Sequence, residues 1–190
     1  MPSPVGHTLA GLCGFLLGRE RIPPQQRRWW LASCVAIANL PDLDILPGLI
    51  LYGDPSEFHR DATHSIFVGI AIAGSVWAIA KSRALKPRQL WGVYTGGLYL
   101  SHILLDMLVA DPFPPTGVQA LWPFSFDYFA FPIAIFARFD YFDPALGMLD
   151  AILSWHNFFG VLREILILTP ALVGSYYLGQ KIGYHLRKSR

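Results

Sequence analysis

The sequence is short of charge. Asp, Glu, Lys and Arg make up 15% of its 190 residues, where a soluble domain carries about 25%. A soluble all-helical protein with this many charge-free blocks would need a far larger polar shell than 190 residues supply. It is also short of cysteine. The two present, Cys13 and Cys34, both lie in apolar segments; they read as packing residues rather than as a disulfide or a thiolate metal site. No Lys or Arg precedes the first apolar block. A secretory signal peptide wants such a positive region, so residues 4–18 read as a retained helix. The formal net charge is only +2, which points away from a nucleic-acid partner. No internal repeat or low-complexity segment is present.

What the sequence has in quantity is apolar surface. Hydrophobic residues make up 53% of the chain and the mean hydropathy is +0.39. Residues 3–18, 65–80, 89–105 and 165–180 contain no Asp, Glu, Lys or Arg. A membrane-crossing helix needs roughly 17–25 apolar residues, so these blocks sit at the short end, where local thinning of the bilayer accommodates them. Basic residues gather in three places: Arg19, Arg21, Arg27 and Arg28; Lys81, Arg83, Lys86 and Arg88; and Lys181, Arg187, Lys188 and Arg190. Short loops rich in Lys and Arg mark the cytoplasmic side. Helices over about 4–18, 29–46, 65–81, 89–108 and 162–183 put all three clusters on that side. The expectation is an all-α, integral-membrane bundle of about five transmembrane helices, one domain over 1–190, with the N-terminus outside and the C-terminus cytoplasmic. Residues 111–160 do not fit a simple span. Pro112, Phe113, Pro114, Pro115, Trp122, Pro123, Phe124, Phe126, Tyr128, Phe129 and Phe131 break helices or favour the interface. This stretch reads as an outer cap with a re-entrant or interfacial segment, and a further pair of crossings there would leave the C-terminal side unchanged.

Ionisable groups at membrane depth are costly and mark function. His7 opens the first helix, Asp42 and Asp44 interrupt the second block, His59, Arg60 and His64 lead into the third, and His102 and Asp106 close the fourth. On the five-helix topology all four segments deliver these residues to the outer face. His102 and Asp106 are four apart and share one helical face. Asp42 and Asp44 are two apart around a Pro-initiated turn and can point to one side. Imidazole with carboxylate suits zinc first, with manganese or iron as alternatives, better than calcium. His7, Asp42, Asp44, His59, His64, His102 and Asp106 exceed what one tetrahedral zinc requires, so either two metals bind or some of these groups support the ligands. Each group alone also has a structural reading. His7 can be interfacial, an Asp can cap a turn, His102 and Asp106 can be a hydrogen-bonded pair, and Arg60 can anchor a lipid headgroup. His156 and His185 fall outside the pattern. Asp140, Asp143 and Asp150 read as surface or capping residues of the outer cap.

Gly6-His7, Pro41-Asp42-Leu43-Asp44, His59-Arg60 with Thr63-His64-Ser65, Ser101-His102 with Leu105-Asp106, and the segment 117–125 ending Leu121-Trp122-Pro123-Phe124-Ser125 resemble the YdjM-like membrane-bound metal-dependent hydrolases. The resemblance runs over about residues 1–130. It implies a bacterial or archaeal inner-membrane protein with hydrolase activity. A more distant likeness to the all-helical sites of zinc-dependent phospholipase C type implies a phosphoester substrate. The expected function is metal-dependent hydrolysis of a membrane-associated, amphipathic substrate such as a phospholipid-like phosphoester, with membrane lipids as partners. In this reading Asp44 is a bridging ligand or general base, and Arg60 neutralises a phosphate or developing oxyanion through its bidentate guanidinium. The alternative is a non-catalytic membrane module stapled by its metal. A transporter would need ionisable residues along the whole route through the bilayer, and the inner halves of the expected helices lack them.

Overall fold

The computed structural model describes residues 1–85, 87–111, 114–143, 145 and 147–188. Lys86, Pro112, Phe113, Arg190 and the side chain of Arg187, all used above, lie outside the described residues. The described residues are mostly helical, 68% of them. Its helices are α1 (Pro4–Gly18), α2 (Arg27–Ala38), α3 (Ile45–Tyr52), α4 (Ile66–Ser82), α5 (Arg88–Met107), α6 (Gly147–Ile152) and α7 (Trp155–Lys188).

Local chemistry sets their ends. The Ser3 hydroxyl accepts from the Val5 and Gly6 amides, and Pro4 follows it at the first helical position, the arrangement that starts a helix well. Ser65 caps α4 by accepting from Phe67 N. The second block does not run unbroken to residue 46, as expected from its hydropathy. It stops at Ala38, because Pro41 has no backbone N–H to continue the helical ladder. A 3-10 turn, Pro41–Asp44, follows, and the chain leaves at 57° to its former direction. Gly53 ends α3 in the left-handed conformation, φ 69°.

α1 packs on α7, α2 and α5, and α4 packs on α5. The approach is close because the contacts are small. A Cβ at Gly179 would overlap the Leu16 carbonyl oxygen, and one at Gly11 would stand 2.9 Å from the Cys34 carbonyl oxygen. Trp30, Cys34, Ala38, Leu90 and Leu98 belong to one apolar cluster along α2 and α5, and Tyr99, Ile103, Val118 and Ala120 form a second. Cys13 and Cys34 are free thiols. Among the described residues, one helix, Trp155–Leu186, is long and apolar enough by itself to cross a membrane, and Pro24–Ala38 with Pro41–Tyr52 passes jointly as a bent pair.

In the segment after α5, Val109–Ala110 pairs in parallel with Phe136–Ala137, and Val118 bridges to Phe129. Turns fill most of the rest, with the short α6 before α7. The final helix begins at Trp155, inside the expected cap and seven residues before the expected start at 162. The cap is tied to the bundle by backbone hydrogen bonds: Gln119 N to Arg60 O, Ile66 N to Ala120 O, and Phe139 N to Met1 O.

Candidate metal centre

Four segments meet at one end of the bundle: the first turns of α1, the 3-10 turn after α2, the 3-10 turn Ala62–His64 before α4, and the last turns of α5. His7, Asp42, His64, His102 and Asp106 converge there. Three of them, His7, His64 and His102, are fully buried, and Asp106 is nearly so. His7 Nε2 stands 3.3 Å from Asp106 Oδ1 and 3.7 Å from Asp42 Oδ2. His64 Nε2 is 3.4 Å from Asp42 Oδ1 and 3.0 Å from Asp106 Oδ2. His102 Nε2 is 3.2 Å from Asp42 Oδ1 and 3.3 Å from Asp106 Oδ2. Donor atoms around a tetrahedral ion at about 2.0–2.2 Å stand about 3.3–3.6 Å apart, which is the spacing found.

The ring orientations support the same conclusion. His102 Nδ1 lies 2.7 Å from the Ala38 carbonyl oxygen. A carbonyl only accepts, so Nδ1 carries the proton and Nε2 turns its lone pair to the cluster. His64 Nδ1 faces Asp44 Oδ2 at 3.2 Å, a carboxylate–imidazole pair of the kind that orients metal-ligating histidines. His64 Nε2 and His102 Nε2 are then 3.2 Å apart. Two lone pairs at that separation repel unless a proton or a metal ion lies between them. The buried carboxylate oxygens of Asp42 and Asp106, and both ring nitrogens of His7, have no hydrogen-bond partner. Buried polar atoms without partners cost about 1–3 kcal/mol each and call for an explanation. The donor set fits a divalent ion: His7, Asp42, His102 and Asp106 form one group with donor atoms within 4.8 Å of each other, and Asp42, His59 and His64 form a second. Asp42 is common to both.

Asp44 takes a different place from Asp42. Its Oδ1 accepts from His59 Nδ1 at 2.8 Å, and its Oδ2 accepts from Thr63 Oγ1 at 2.6 Å and from Arg60 N at 3.2 Å, besides facing His64 Nδ1. Burial raises the Asp44 carboxyl, but these donors outweigh it and bring it down to about 2. Both oxygens are engaged, so Asp44 supports two histidines rather than presenting a free donor. Burial would lower the His64 imidazole, but the negative carboxylates of Asp106, Asp42 and Asp44 beside it hold it well above its usual range.

His59 sits at the rim. Its Nδ1 is held by Asp44 and its Nε2 contacts Met1 Sδ. Arg60 has a positive φ of 71°, which lets its amide reach Asp44 while its carbonyl accepts from Gln119 N. Its guanidinium donates to Asp111 at 2.5 Å, so its charge is already balanced. Arg138 is held by the same Asp111 and by Asp140. A cavity of about 590 Å³ opens beside His59 and Arg60, with Asp61, Arg138 and Tyr141 also in its wall.

Sequence reasoning missed several residues here. Glu164 of α7 is buried and accepts from Ser3 N at 2.7 Å and from Ser3 Oγ at 2.5 Å. It fixes the start of α1 one turn before His7. A lone acid in an apolar helix was the signal that could have found it. Asp111 and Tyr141 carried no such signal, because only folding brings them to the cavity. His156 is exposed and interacts with Asp140 and the Arg138 carbonyl oxygen, away from the cluster.

A helical bundle whose four segment ends enclose a His/Asp cluster is the class of protein defined here. The family described as "YdjM inner membrane protein" matches residues 1–182, and the chain belongs to that family. It is 28% identical over 134 residues to "Inner membrane protein YdjM" of Escherichia coli (strain K12), and equally to the protein of that name from Shigella flexneri. Each match covers 62% of this chain and 64% of the relative, so the chain spans somewhat under two thirds of the relatives it matches. No solved structure matches.

Proposed function

We propose that this protein is a metal-dependent hydrolase of a membrane-associated phosphoester, acting at the outer face of the inner membrane. In this reading residues 1–190 form one membrane-embedded domain. α1, α2, α4, α5 and α7 cross the bilayer, with the N-terminus outside and the C-terminus cytoplasmic. The helix directions support that arrangement: Arg19 and Arg21 lie between α1 and α2 and Arg27 opens α2, Lys81 lies in the last turn of α4 and Arg83 just after it, and Lys181 and Lys188 lie near the end of α7, all at the end away from the cluster. Exposed apolar side chains along α7, among them Trp155, Phe159, Leu166 and Tyr177, suit contact with lipid.

The single observation that carries the reading is the buried group of unpartnered carboxylate and imidazole atoms at ligand spacing. His7, Asp42, His64, His102 and Asp106 would hold one divalent ion, zinc before manganese or iron. His59 with Asp42 and His64 would hold a second. A bound ion of this kind supplies Lewis acidity, polarising a phosphoryl oxygen and acidifying a water. The protein's own residues do the rest. Asp44 orients His59 and His64, the Ala38 carbonyl fixes the His102 tautomer, and Glu164 with Ser3 holds the helix that carries His7. Arg60, neutralised by Asp111, sits in the wall of the adjoining cavity, where an exchange of partners brings its guanidinium to a substrate phosphate. A non-catalytic metal staple has no use for that cavity, which supports turnover over the structural alternative.

The test is hydrolysis of fluorescently labelled phospholipids by detergent-purified protein, with and without chelator. Activity should require metal and should fall by at least a hundredfold in His64→Ala and Asp106→Ala. No activity towards any lipid, or variants as active as the wild type, would remove the proposal.

A further inference from the structure

The cavity beside the cluster has two tyrosines in its wall, Tyr128 and Tyr141. The Tyr128 hydroxyl is committed: it donates to Asp61. The Tyr141 hydroxyl is different. It is buried and has no hydrogen-bond partner, although its ring lies in a cavity wall. A buried hydroxyl left unpaired costs about 1–3 kcal/mol. Phenylalanine would fill the same space without that cost, and Phe139 and Phe142 flank it in the same wall. The hydroxyl therefore calls for a function.

The segment that carries Tyr141 is held from several sides. Phe139 N donates to the Met1 carbonyl, and Asp140 N donates to Asn157 Oδ1 at 2.9 Å. Asn157 Nδ2 returns a bond to the Asp140 carbonyl at 2.8 Å. Arg138 is paired with Asp111 and Asp140, and the Tyr141 ring meets the Phe139 ring edge-on at 4.9 Å. The hydroxyl is thus positioned before anything enters. Burial raises it far above the ordinary phenol range, and the negative charges of Asp42, Asp106, Glu164 and Asp44 raise it further. His59, at the rim of the cluster, lies in the same cavity wall, and the hydroxyl remains a donor at any physiological pH.

We propose that Tyr141 is a catalytic residue whose hydroxyl donates a hydrogen bond to a phosphoryl oxygen of the substrate lodged between the cavity and the His/Asp cluster. This rests on the reading of that cluster as a phosphoester-hydrolysing metal site. Fixed donors aimed at an oxygen that gains charge lower the barrier without needing to reorganise. The carboxylates of the cluster repel a phosphate, so a fixed donor on the cavity side offsets part of that repulsion. Arg60 and Arg138 cannot fill this role alone, because each already shares Asp111.

The test uses zinc-loaded protein and inorganic phosphate, so that binding is read apart from turnover. Zinc stoichiometry and affinity are measured first, then phosphate affinity by calorimetry, in the wild type and in Tyr141→Phe. Zinc binding should be unchanged in the variant, and phosphate should bind about tenfold to a hundredfold more weakly. Tyr128→Phe, whose hydroxyl is committed to Asp61, should leave phosphate affinity within about threefold. Phosphate affinity equal in Tyr141→Phe and wild type would overturn the proposal and leave the metal site standing. A variant that loses zinc along with phosphate would also overturn it, by making Tyr141 a structural residue. Wild-type protein that binds no zinc would remove the metal reading first, and this proposal with it.

Discussion

Replacing Asp44 by Asn separates the two roles that a carboxylate can have beside a metal. Asp44 is buried and receives donors on both oxygens, from His59 Nδ1, Arg60 N, Thr63 Oγ1 and His64 Nδ1. Asparagine is nearly isosteric but has one acceptor oxygen and no charge. Its amide NH₂ must face N–H or O–H donors on one side, so either His59 or the Arg60–Thr63–His64 set loses its partner. A hydrogen bond to a charged group is worth about 1.5–3 kcal/mol. Losing the carboxylate that orients a ligating histidine typically weakens metal binding about 10–100-fold, which corresponds to about 1.4–2.7 kcal/mol. Competition with a chromophoric chelator in detergent should therefore show zinc affinity in Asp44→Asn reduced by that factor, with His64→Ala reduced well beyond it. Equal losses in the two variants would make Asp44 a direct ligand. A change within twofold would show that the histidines hold their positions without it.

Two further outcomes follow from the same geometry. His64 is held well above its usual range in the metal-free protein, so at neutral pH its ring carries a second proton that an incoming ion must displace. Zinc affinity should thus fall by about tenfold per pH unit on acidification and level off only above the raised value, and an affinity flat between pH 6 and 8 would refute the ligand role of His64. At the helix contacts, Gly179→Ala should lower thermal stability by about 1–3 kcal/mol, because the new methyl would overlap the Leu16 carbonyl oxygen. Gly97→Ala, which meets nothing within 4 Å, should be neutral or slightly stabilising, and equal melting temperatures for the two variants would count against the close α1–α7 approach.

Much of the cluster was legible before folding, for a physical reason. His and Asp in apolar segments carry so high a desolvation cost that they stand out, and alternating helix directions with basic loops at one end assign their ends to the other. His7, Asp42, His64, His102 and Asp106 meet as that logic required. The helix starts expected at 4 and 65 agree with α1 at Pro4 and α4 at Ile66, where the structure shows Ser3 and Ser65 as caps. The end of α2 at Ala38 was not legible, since hydropathy continues through the Pro41 turn and only the backbone donor that Pro41 lacks ends the helix.

By itself the sequence determined that this chain is helical, that it is too apolar for a soluble shell, and which ionisable groups are costly enough to require partners. Only the tertiary structure decided how those groups divide the work. Asp42 and Asp44 are alike in sequence, two residues apart in one turn. The fold surrounds Asp44 with donors from the 59–64 segment and leaves Asp42 facing three imidazoles. It likewise brings Asp111 and Tyr141 to the site from segments with no local signal. Hydrogen-bond partners are set by through-space contacts between distant segments, and no periodicity along the chain encodes them.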